Sequence, residues 1–406
     1  MKILHTSDWH LGKNLFGQKR YDEHEHFVRW LTDLIKEESV DLMIVAGDIF
    51  DTTTPSNKAQ EIYYSFLCET IKTTCRNVLI IGGNHDSPSF LAAPGSLLKH
   101  LNIFVVSEAG KPEDEIIEIK DESGKIQMIV CAVPYLKDRD VRISSAGETS
   151  SDKEKNLLEG IRKHYQDVHN KAKELKDKYK VPLVSTGHLF TSGGKINNGE
   201  GERELYVGTL AQVEGSIFPD FIDYAALGHL HSAQTVPGRE NIRYSGSPIP
   251  MGFNESYQGK KVVIAEISNG SSKIKEVSVP FLRKLVAIKG TKEEIKEKLK
   301  TLENDGSEYW IELTGKDFES GVAINDLAME IEGNSNLKVL KKVNPDLKIE
   351  VFSQTEESRT LKDLEPDEVF DRLLEKKAFS EDSKKELKEA YSTLLNEMSS
   401  EDTNKY

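Results

Sequence analysis

The stretch Val78–Asp86, VLIIGGNHD, decides the fold of this chain. Its first four residues form a short apolar run of the kind that fills a buried strand. Two glycines follow and permit a sharp turn. The stretch ends in Asn84, His85 and Asp86, which can hold a metal ion, move a proton or orient a neighbouring side chain. This order predicts a strand whose carboxyl end opens into a site, although in isolation a turn with solvated polar side chains has the same pattern.

The same order of apolar run and polar cluster recurs at four other predicted strand ends. Residues two apart in an extended chain point to the same side, so Asp8-x-His10 and His229-x-His231 can each direct two side chains into one pocket. The carboxyl ends of parallel strands meet at one edge of a sheet, so the clusters are expected to converge there. A solvated turn or a core histidine explains any one cluster, but not their ordered recurrence. The metal-capable residues are Asp8, His10, Asp48, Asn84, His85, His188, His229 and His231.

Helix and strand patterns alternate early in the chain, and strand patterns dominate later. We therefore expect an α/β fold in which residues 1–280 form a two-sheet sandwich flanked by helices. After Pro280, a β–α–β–α–β pattern over residues 281–352 predicts a small α+β capping domain. A polar linker over residues 353–362 leads to two amphipathic C-terminal helices within residues 363–398.

Composition limits the classes of protein to be considered. The chain has 406 residues, a formal net charge of −14 and no strongly basic segment, which argues against an autonomous nucleic-acid-binding module. Any nucleic-acid substrate must therefore be held by local patches, bound cations or a partner. The three cysteines form no zinc-binding pattern. An apolar run of about 18 residues and a signal peptide are both missing, so we expect a cytoplasmic protein without a membrane anchor.

The five clusters together resemble the pattern of the calcineurin-like metallophosphoesterases, which is Asp-x-His, Gly-Asp, Gly-Asn-His-Asp/Glu, a later His and Gly-His-x-His. The resemblance implies two metal ions bridged by Asp48. It assigns Asp8, His10 and His231 to the first ion and Asn84, His188 and His229 to the second. It also implies that His85 is a catalytic histidine rather than a ligand, and that Asp86 orients it.

Three longer motifs resemble the SbcD family of bacterial exonuclease subunits: HTSDWHLG (His5–Gly12), GDIFDTTTPS (Gly47–Ser56) and YSGSPIPMGFNE (Tyr244–Glu255). This resemblance implies a metal-dependent nuclease that degrades double-stranded DNA ends 3′→5′ and cleaves hairpin or single-stranded DNA in repair, recombination and replication. It further implies DNA binding by the capping domain, and a homodimer within a heterotetramer, formed through helices beside the active site. We expect these helices within Asn57–Thr73 and Pro88–His100, although packing on the protein's own sheet explains most of the apolar residues there. The implied partner is an SbcC-type coiled-coil ATPase. We expect residues 363–398 to dock it, since a linker precedes them; the alternative is that the two helices fold back on the capping domain. The chain itself lacks the G-x-x-x-x-G-K-[ST] motif for ATP.

The donor atoms of the implied metal site are imidazole nitrogen, carboxylate oxygen and amide oxygen, without a thiolate. This set suits Mn²⁺ and tolerates Mg²⁺, Fe²⁺ or Zn²⁺, and the family resemblance implies two Mn²⁺ ions. The alternatives are a small-molecule phosphodiesterase or a protein phosphatase on the same fold, and a non-catalytic scaffold. A scaffold has no need of the full ligand set, and the motif at Tyr244–Glu255 favours the nuclease over the small-molecule enzyme.

Overall fold

The computed structural model describes residues 1–142, 148–191, 213–268, 270–316, 321–332, 336–343 and, further on, only 387, 388 and 391. The predicted linker and almost all of the two predicted C-terminal helices lie outside the described residues. Within the described part of the chain, no helix combines the length and the apolar character needed to cross a bilayer.

The first sheet has six strands and carries the decisive stretch in its centre. Its spatial order is β14-β13-β1-β4-β5-β6, with β1, β4, β5 and β6 mutually parallel. Strands β1, β4 and β5 are covered on both faces, which explains why the sequences of β4 and β5 are almost continuously apolar. The strands are β1 (Lys2–Thr6), β4 (Leu42–Ala46), β5 (Asn77–Ile81), β6 (Ile103–Val106), β13 (Lys261–Ser268) and β14 (Ser271–Ser278).

The second sheet also has six strands, in the order β11-β12-β10-β9-β8-β7. Its inner strands β8, β9, β10 and β12 are parallel to one another. An apolar core lies between the two sheets, including Ile44, Leu79, Val184 and Ala226. The strands are β7 (Ile116–Lys120), β8 (Ile126–Cys131), β9 (Leu183–His188), β10 (Tyr224–Gly228), β11 (Gln234–Val236) and β12 (Arg239–Tyr244).

Helices cover the outer face of each sheet, which confirms the predicted α/β sandwich. One apolar core joins the first sheet to the helices that connect its strands. A second core joins the other sheet to the long helix Ser150–Tyr179. The helices are α1 (Tyr21–Glu38), α2 (Asn57–Thr70), α3 (Pro88–Ala92), α4 (Gly95–Lys99), α5 (Asp138–Val141) and α6 (Ser150–Tyr179). The single helix predicted over Pro88–His100 is wrong, because the chain forms two short helices separated around Pro94, whose ring and missing N–H interrupt a helix.

A smaller unit follows the sandwich and consists of β15 (Lys284–Gly290), α7 (Lys292–Glu303), β16 (Tyr309–Gly315), α8 (Gly321–Glu332) and β17 (Leu337–Val343). The predicted element order is correct. Its three strands are parallel, however, and alternate with the helices, so the unit is of the α/β rather than the α+β type.

The small unit packs on the sandwich through a mixed apolar and charged contact. Trp310 and Leu285 share an apolar cluster with Phe253 of the 3₁₀ turn Phe253–Glu255. The Arg283 guanidinium lies 4.6 Å from the Trp310 ring centre and also pairs with Asp22 at the start of α1. The contact therefore holds the small unit beside a turn that, as shown below, supports the site.

Candidate dimetal centre

All five predicted clusters converge at one edge of the sandwich. In the first sheet they follow β1, β4 and β5, and in the second sheet they lie at the ends of β9 and β10. Seven of the eight metal-capable side chains belong to buried residues, and Asn84 is half-buried. Convergence of the parallel strand ends places these polar groups together in a pocket largely removed from water.

A first group of donors consists of Asp8, His10 and His231, whose ligand atoms all lie within 4.8 Å of one another. The Nε2 atoms of His10 and His231 face each other at 3.3 Å. Two buried imidazole nitrogens and a carboxylate at these separations form a donor set suited to a divalent transition-metal ion.

A second group surrounds His188. Its Nε2 lies 3.3 Å from Asp48 Oδ2 and 3.0 Å from Asn84 Oδ1. The ring of His229 is edge-on to the ring of His188, with centres 5.3 Å apart. The structure thus brings Asn84, His188 and His229 together, as the sequence pattern predicts.

The carboxylate of Asp48 lies between the two groups. Its Oδ2 is 3.3 Å from His188 Nε2 and 3.7 Å from His10 Nε2. A single carboxylate therefore reaches both groups, and this is the geometry expected of a ligand shared by two ions.

The imidazoles are held by hydrogen bonds on the side away from the donor groups. His188 Nδ1 lies 2.9 Å from the Ala46 carbonyl oxygen, and His231 Nδ1 lies 3.2 Å from Glu255 Oε1. Both acceptors favour a proton on Nδ1, which leaves Nε2 as the ligand atom. The residues present consequently fit a pair of divalent ions in donor type and in orientation.

The backbone at the site adopts conformations that are rare for residues other than glycine. Asp8, His10, Asp48 and His229 all have positive φ, between 47° and 99°. Positive φ in non-glycine residues costs free energy and persists where the surrounding structure enforces it, commonly at functional sites. Glycine is required beside them, because a Cβ on Gly83 would lie 2.2 Å from Asp48 Oδ1.

His85 lies beside the first group rather than within it. Its ring is edge-on to that of His10, with centres 4.7 Å apart. Its Nδ1 lies 2.9 Å from the Asp51 carbonyl oxygen, and its backbone N–H donates to Asp48 Oδ1 at 2.8 Å. This is a position from which an imidazole can meet a substrate held at the two groups.

Asp86 is placed differently from the expectation that it orients the His85 imidazole. Its carboxylate accepts hydrogen bonds from the backbone N–H groups of Gly83, Ile49 and Phe50 at 2.9–3.2 Å. These bonds tie the loop after β5 to the loop after β4, while the Asp51 carbonyl holds the imidazole. The contribution of Asp86 is therefore to fix the backbone that carries both Asn84 and His85.

Comparison with known proteins agrees with this geometry. A family model described as calcineurin-like phosphoesterase matches residues 1–233, which is more than half of the chain. The chain belongs to the calcineurin-like phosphoesterase family. A second model, described as the type 5 capsule protein repressor C-terminal domain, matches residues 282–378.

Curated relatives of this phosphoesterase confirm the resemblance to the SbcD family. The relative named as the SbcD component of the nuclease SbcCD in Escherichia coli (strain K12) is 32% identical over 409 aligned residues, covering 99% of each chain. The protein of the same name from Bacillus subtilis (strain 168) is 32% identical, covering 66% of this chain and 67% of its own. A solved dimetal phosphatase from Danio rerio matches with a TM-score of 0.42 and 13% identity, covering 69% of this chain and 98% of its own. Family and donor groups together indicate that this phosphoesterase uses divalent metal ions.

The charges of the phosphoesterase site are strongly coupled. Burial and the nearby Asp48 carboxylate raise the pKa of Asp8 to about 6 and that of Asp86 to about 7. Burial alone would lower the pKa of His188, but the carboxylates of Asp48 and Asp8 and the Ala46 carbonyl together raise that pKa to about 9. A cation bound at Asp8 would favour its ionised form, because metal ligands must be deprotonated.

Sequence reasoning missed three supporting residues. Asp51 Oδ1 lies 3.3 Å from His10 Nδ1, Ser7 Oγ donates to Asp8 Oδ2 at 2.5 Å, and Glu255 lies behind His231. All three lie inside the three longer motifs quoted above, so membership of those motifs was the available signal. Their partners, however, depend on which strands lie together, and no local pattern shows that.

Proposed function

We propose that this protein is the nuclease subunit of a two-component DNA-processing complex and hydrolyses phosphodiester bonds with two metal ions. The observation that carries the proposal is the Asp48 carboxylate, placed within 3.7 Å of histidine nitrogens from both donor groups. The relative from Escherichia coli, aligned over 99% of both chains, is named as part of the nuclease SbcCD, which supports DNA as the substrate. The proposed reactions are 3′→5′ removal of nucleotides from double-stranded ends and endonucleolytic cleavage of hairpin or single-stranded DNA, in cytoplasmic repair, recombination and replication.

In this proposal the first ion is held by Asp8, His10 and His231 and the second by Asn84, His188 and His229, with Asp48 between them. Mn²⁺ is the proposed ion, and the nitrogen and oxygen donors also admit Mg²⁺, Fe²⁺ or Zn²⁺. Ions held by these residues would supply polarisation of the phosphodiester, an activated water and neutralisation of charge on the phosphate oxygens.

His85 stabilises the phosphate or donates a proton to the leaving oxygen as its bond to phosphorus breaks. The Asp51 carbonyl engages Nδ1, so Nε2 is the atom at which a proton is exchanged. The His85 backbone N–H to Asp48 hydrogen bond keeps the imidazole at a fixed position relative to the shared carboxylate. Asp86 holds the loop through its three backbone acceptor bonds.

The substrate class is tested by comparing DNA with a plain aryl phosphodiester. We expect the full chain with Mn²⁺ to shorten linear duplexes from their 3′ ends and to open hairpins, and EDTA to abolish both reactions. Duplexes labelled separately at the 5′ and 3′ ends reveal the polarity on a sequencing gel. Rapid hydrolysis of the aryl diester without cleavage of any DNA, with and without a coiled-coil ATPase partner, would instead identify a small-molecule phosphodiesterase.

The proposed quaternary structure is a homodimer joined to two copies of an SbcC-type coiled-coil ATPase. Self-association is proposed through α2 and the α3–α4 region. Leu97 is 65% exposed on α4 and Leu101 follows it at 40%, which supports the α3–α4 part of this interface. Residues 363–398 supply partner docking in this proposal. Their sequence places Val369 and Leu373 one turn apart on an apolar face, and isolated helices of this length are marginal in water without a partner surface.

Deleting residues 363–398 is expected to abolish complex formation and to leave Mn²⁺-dependent cleavage of simple substrates intact. The reason is that the described site residues all precede residue 261. Light scattering of the full and truncated chains, alone and with the ATPase, measures both properties. A truncated chain that still copurifies with the ATPase at equal stoichiometry contradicts the docking proposal, and a full chain that stays a 45.7 kDa monomer at tens of micromolar contradicts the dimer.

A further inference from the structure

A buried ion pair lies directly behind His231. His231 and Lys260 are each 2% exposed and Glu255 is 1% exposed. Glu255 presents Oε1 to His231 Nδ1 at 3.2 Å, and its Oε2 accepts the Met251 backbone N–H at 3.0 Å and a hydrogen bond from Lys260. The carboxylate thus contacts a proposed metal ligand with one oxygen and is restrained through the other.

Lys260 is tied to the same histidine a second way. Its ammonium donates to the His231 carbonyl oxygen at 2.9 Å and to Ser247 Oγ at 2.9 Å, in addition to Glu255. These three bonds match the three donors of an ammonium group. Lys260 therefore holds the backbone of His231 directly and the imidazole of His231 through Glu255.

Stability alone gives little reason for this arrangement. Burying a lysine and a glutamate carries a large desolvation penalty, and replacing such pairs by apolar residues is often neutral or stabilising. The pair lies 3.2 Å behind an imidazole whose Nε2 is itself 3.3 Å from His10 Nε2. Carboxylates that accept the second N–H of a metal-ligating histidine orient the ring and increase its strength as a ligand.

We propose that Lys260 is a positioning residue that holds Glu255 and the main chain so that His231 Nε2 faces the first metal position. This inference rests on the proposed function, because it requires His231 to be a ligand. It extends the site to a lysine that touches neither the substrate nor the ions. The charge of Lys260 also compensates that of Glu255. Without Lys260, the Glu255 carboxylate would be a buried charge without a counter-ion, close to the carboxylates of Asp8 and Asp48.

The test is Lys260→Met with Lys261→Met as its matched control. Lys261 is the next residue in the chain, but its half-exposed side chain pairs with Glu276 on the surface. We expect Lys260→Met to lower the affinity for one of the two Mn²⁺ ions by about 10- to 100-fold, the usual effect of losing such a supporting contact. Lys261→Met should leave the affinities for both ions unchanged. Calorimetric titration with Mn²⁺ measures both sites, and electron paramagnetic resonance distinguishes a coupled Mn²⁺ pair from an isolated ion.

A double variant, Glu255→Gln with Lys260→Met, separates positioning from folding. It leaves no unpaired charge, and the single Gln oxygen can accept the N–H of either His231 or Met251. We expect the double variant to be thermally more stable than Lys260→Met. One of the two ions should still bind with lower affinity than in the unmodified protein. It also carries the test if Lys260→Met does not fold. Two ions bound with unchanged affinity in either variant, or equal weakening of both ions, overturns the role of Lys260. Failure of the unmodified protein to bind two ions overturns the proposed dimetal centre instead.

Discussion

Replacing Asp48 with Asn is expected to weaken both metal positions together and to reduce phosphodiester hydrolysis by about 10³-fold or more. Asp48 Oδ2 lies near ligand nitrogens of both groups, so its charge is lost to both ions at once. An ion contributes several kcal/mol to the transition state, and each 1.4 kcal/mol or so is a factor of ten in rate. Asn keeps the shape of the side chain and an oxygen that can accept the His85 backbone N–H, so the fold is expected to persist.

The comparison that isolates the shared ligand is His10→Ala. His10 belongs to the first group, so we expect this variant to lower the binding affinity for mainly one of the two ions. Calorimetric titration of each variant with Mn²⁺ gives the number of sites and their affinities. Loss of a single site in Asp48→Asn, with the other unchanged, would show that Asp48 serves one ion and does not bridge.

His85→Ala is expected to lower nuclease activity by ~10²–10⁴-fold, the usual contribution of a positioned acid or base, and to leave two ions bound. The physical reason is that His85 contacts the Asp51 carbonyl and lies beside His10, whereas the seven proposed ligands already supply the metal donors. The effect should therefore appear in kcat at saturating Mn²⁺. Metal content by mass spectrometry and cleavage rates on one labelled duplex test the two halves of this prediction.

A suitable control for this variant is His26→Ala. His26 is half-buried on α1 and belongs to none of the metal-capable groups identified in the described residues, so activity and metal content should both be retained. If His85→Ala loses an ion, His85 is a ligand and its assignment as the proton-exchanging group is wrong.

Much of the site was predictable because its signals are local. An apolar run, a glycine and a metal-capable residue lie next to one another in the chain at β4, β5 and β10, and at β9 only Ser185 and Thr186 separate the apolar residues from the glycine, so each strand end could be recognised separately. Their convergence followed from one general property of parallel sheets, the shared carboxyl edge. The family resemblance then assigned the ligands to ions, and the geometry around Asp48 supports that assignment.

Other features could not be predicted because they depend on residues distant in the sequence. Asp51 supports His10 from the loop after another strand, and Glu255 supports His231 from 24 positions further along the chain. Each lies within a motif that is equally typical of a loop. The hydrogen bonds of Asp86 depend on the tertiary structure for the same reason. Its backbone partners Ile49 and Phe50 follow a neighbouring strand, and nothing in the sequence around Asp86 indicates them. The type of the small unit was likewise decided by strand direction, which the β–α–β–α–β order alone does not specify.

The sequence by itself determined the sandwich, the order of its strand ends and the identity of the residues at the shared edge. Apolar periodicity and the chemical type of each side chain are properties of single segments, and they can be read without knowing what packs against them. Only the tertiary structure decided which nitrogen of each histidine faces the metal positions, because that depends on acceptors such as the Ala46 carbonyl and Glu255 on other segments. It also decided that Lys260 lies buried behind His231, since a lysine in a polar loop is ordinarily solvated and only packing of that loop against the sheets removes it from water.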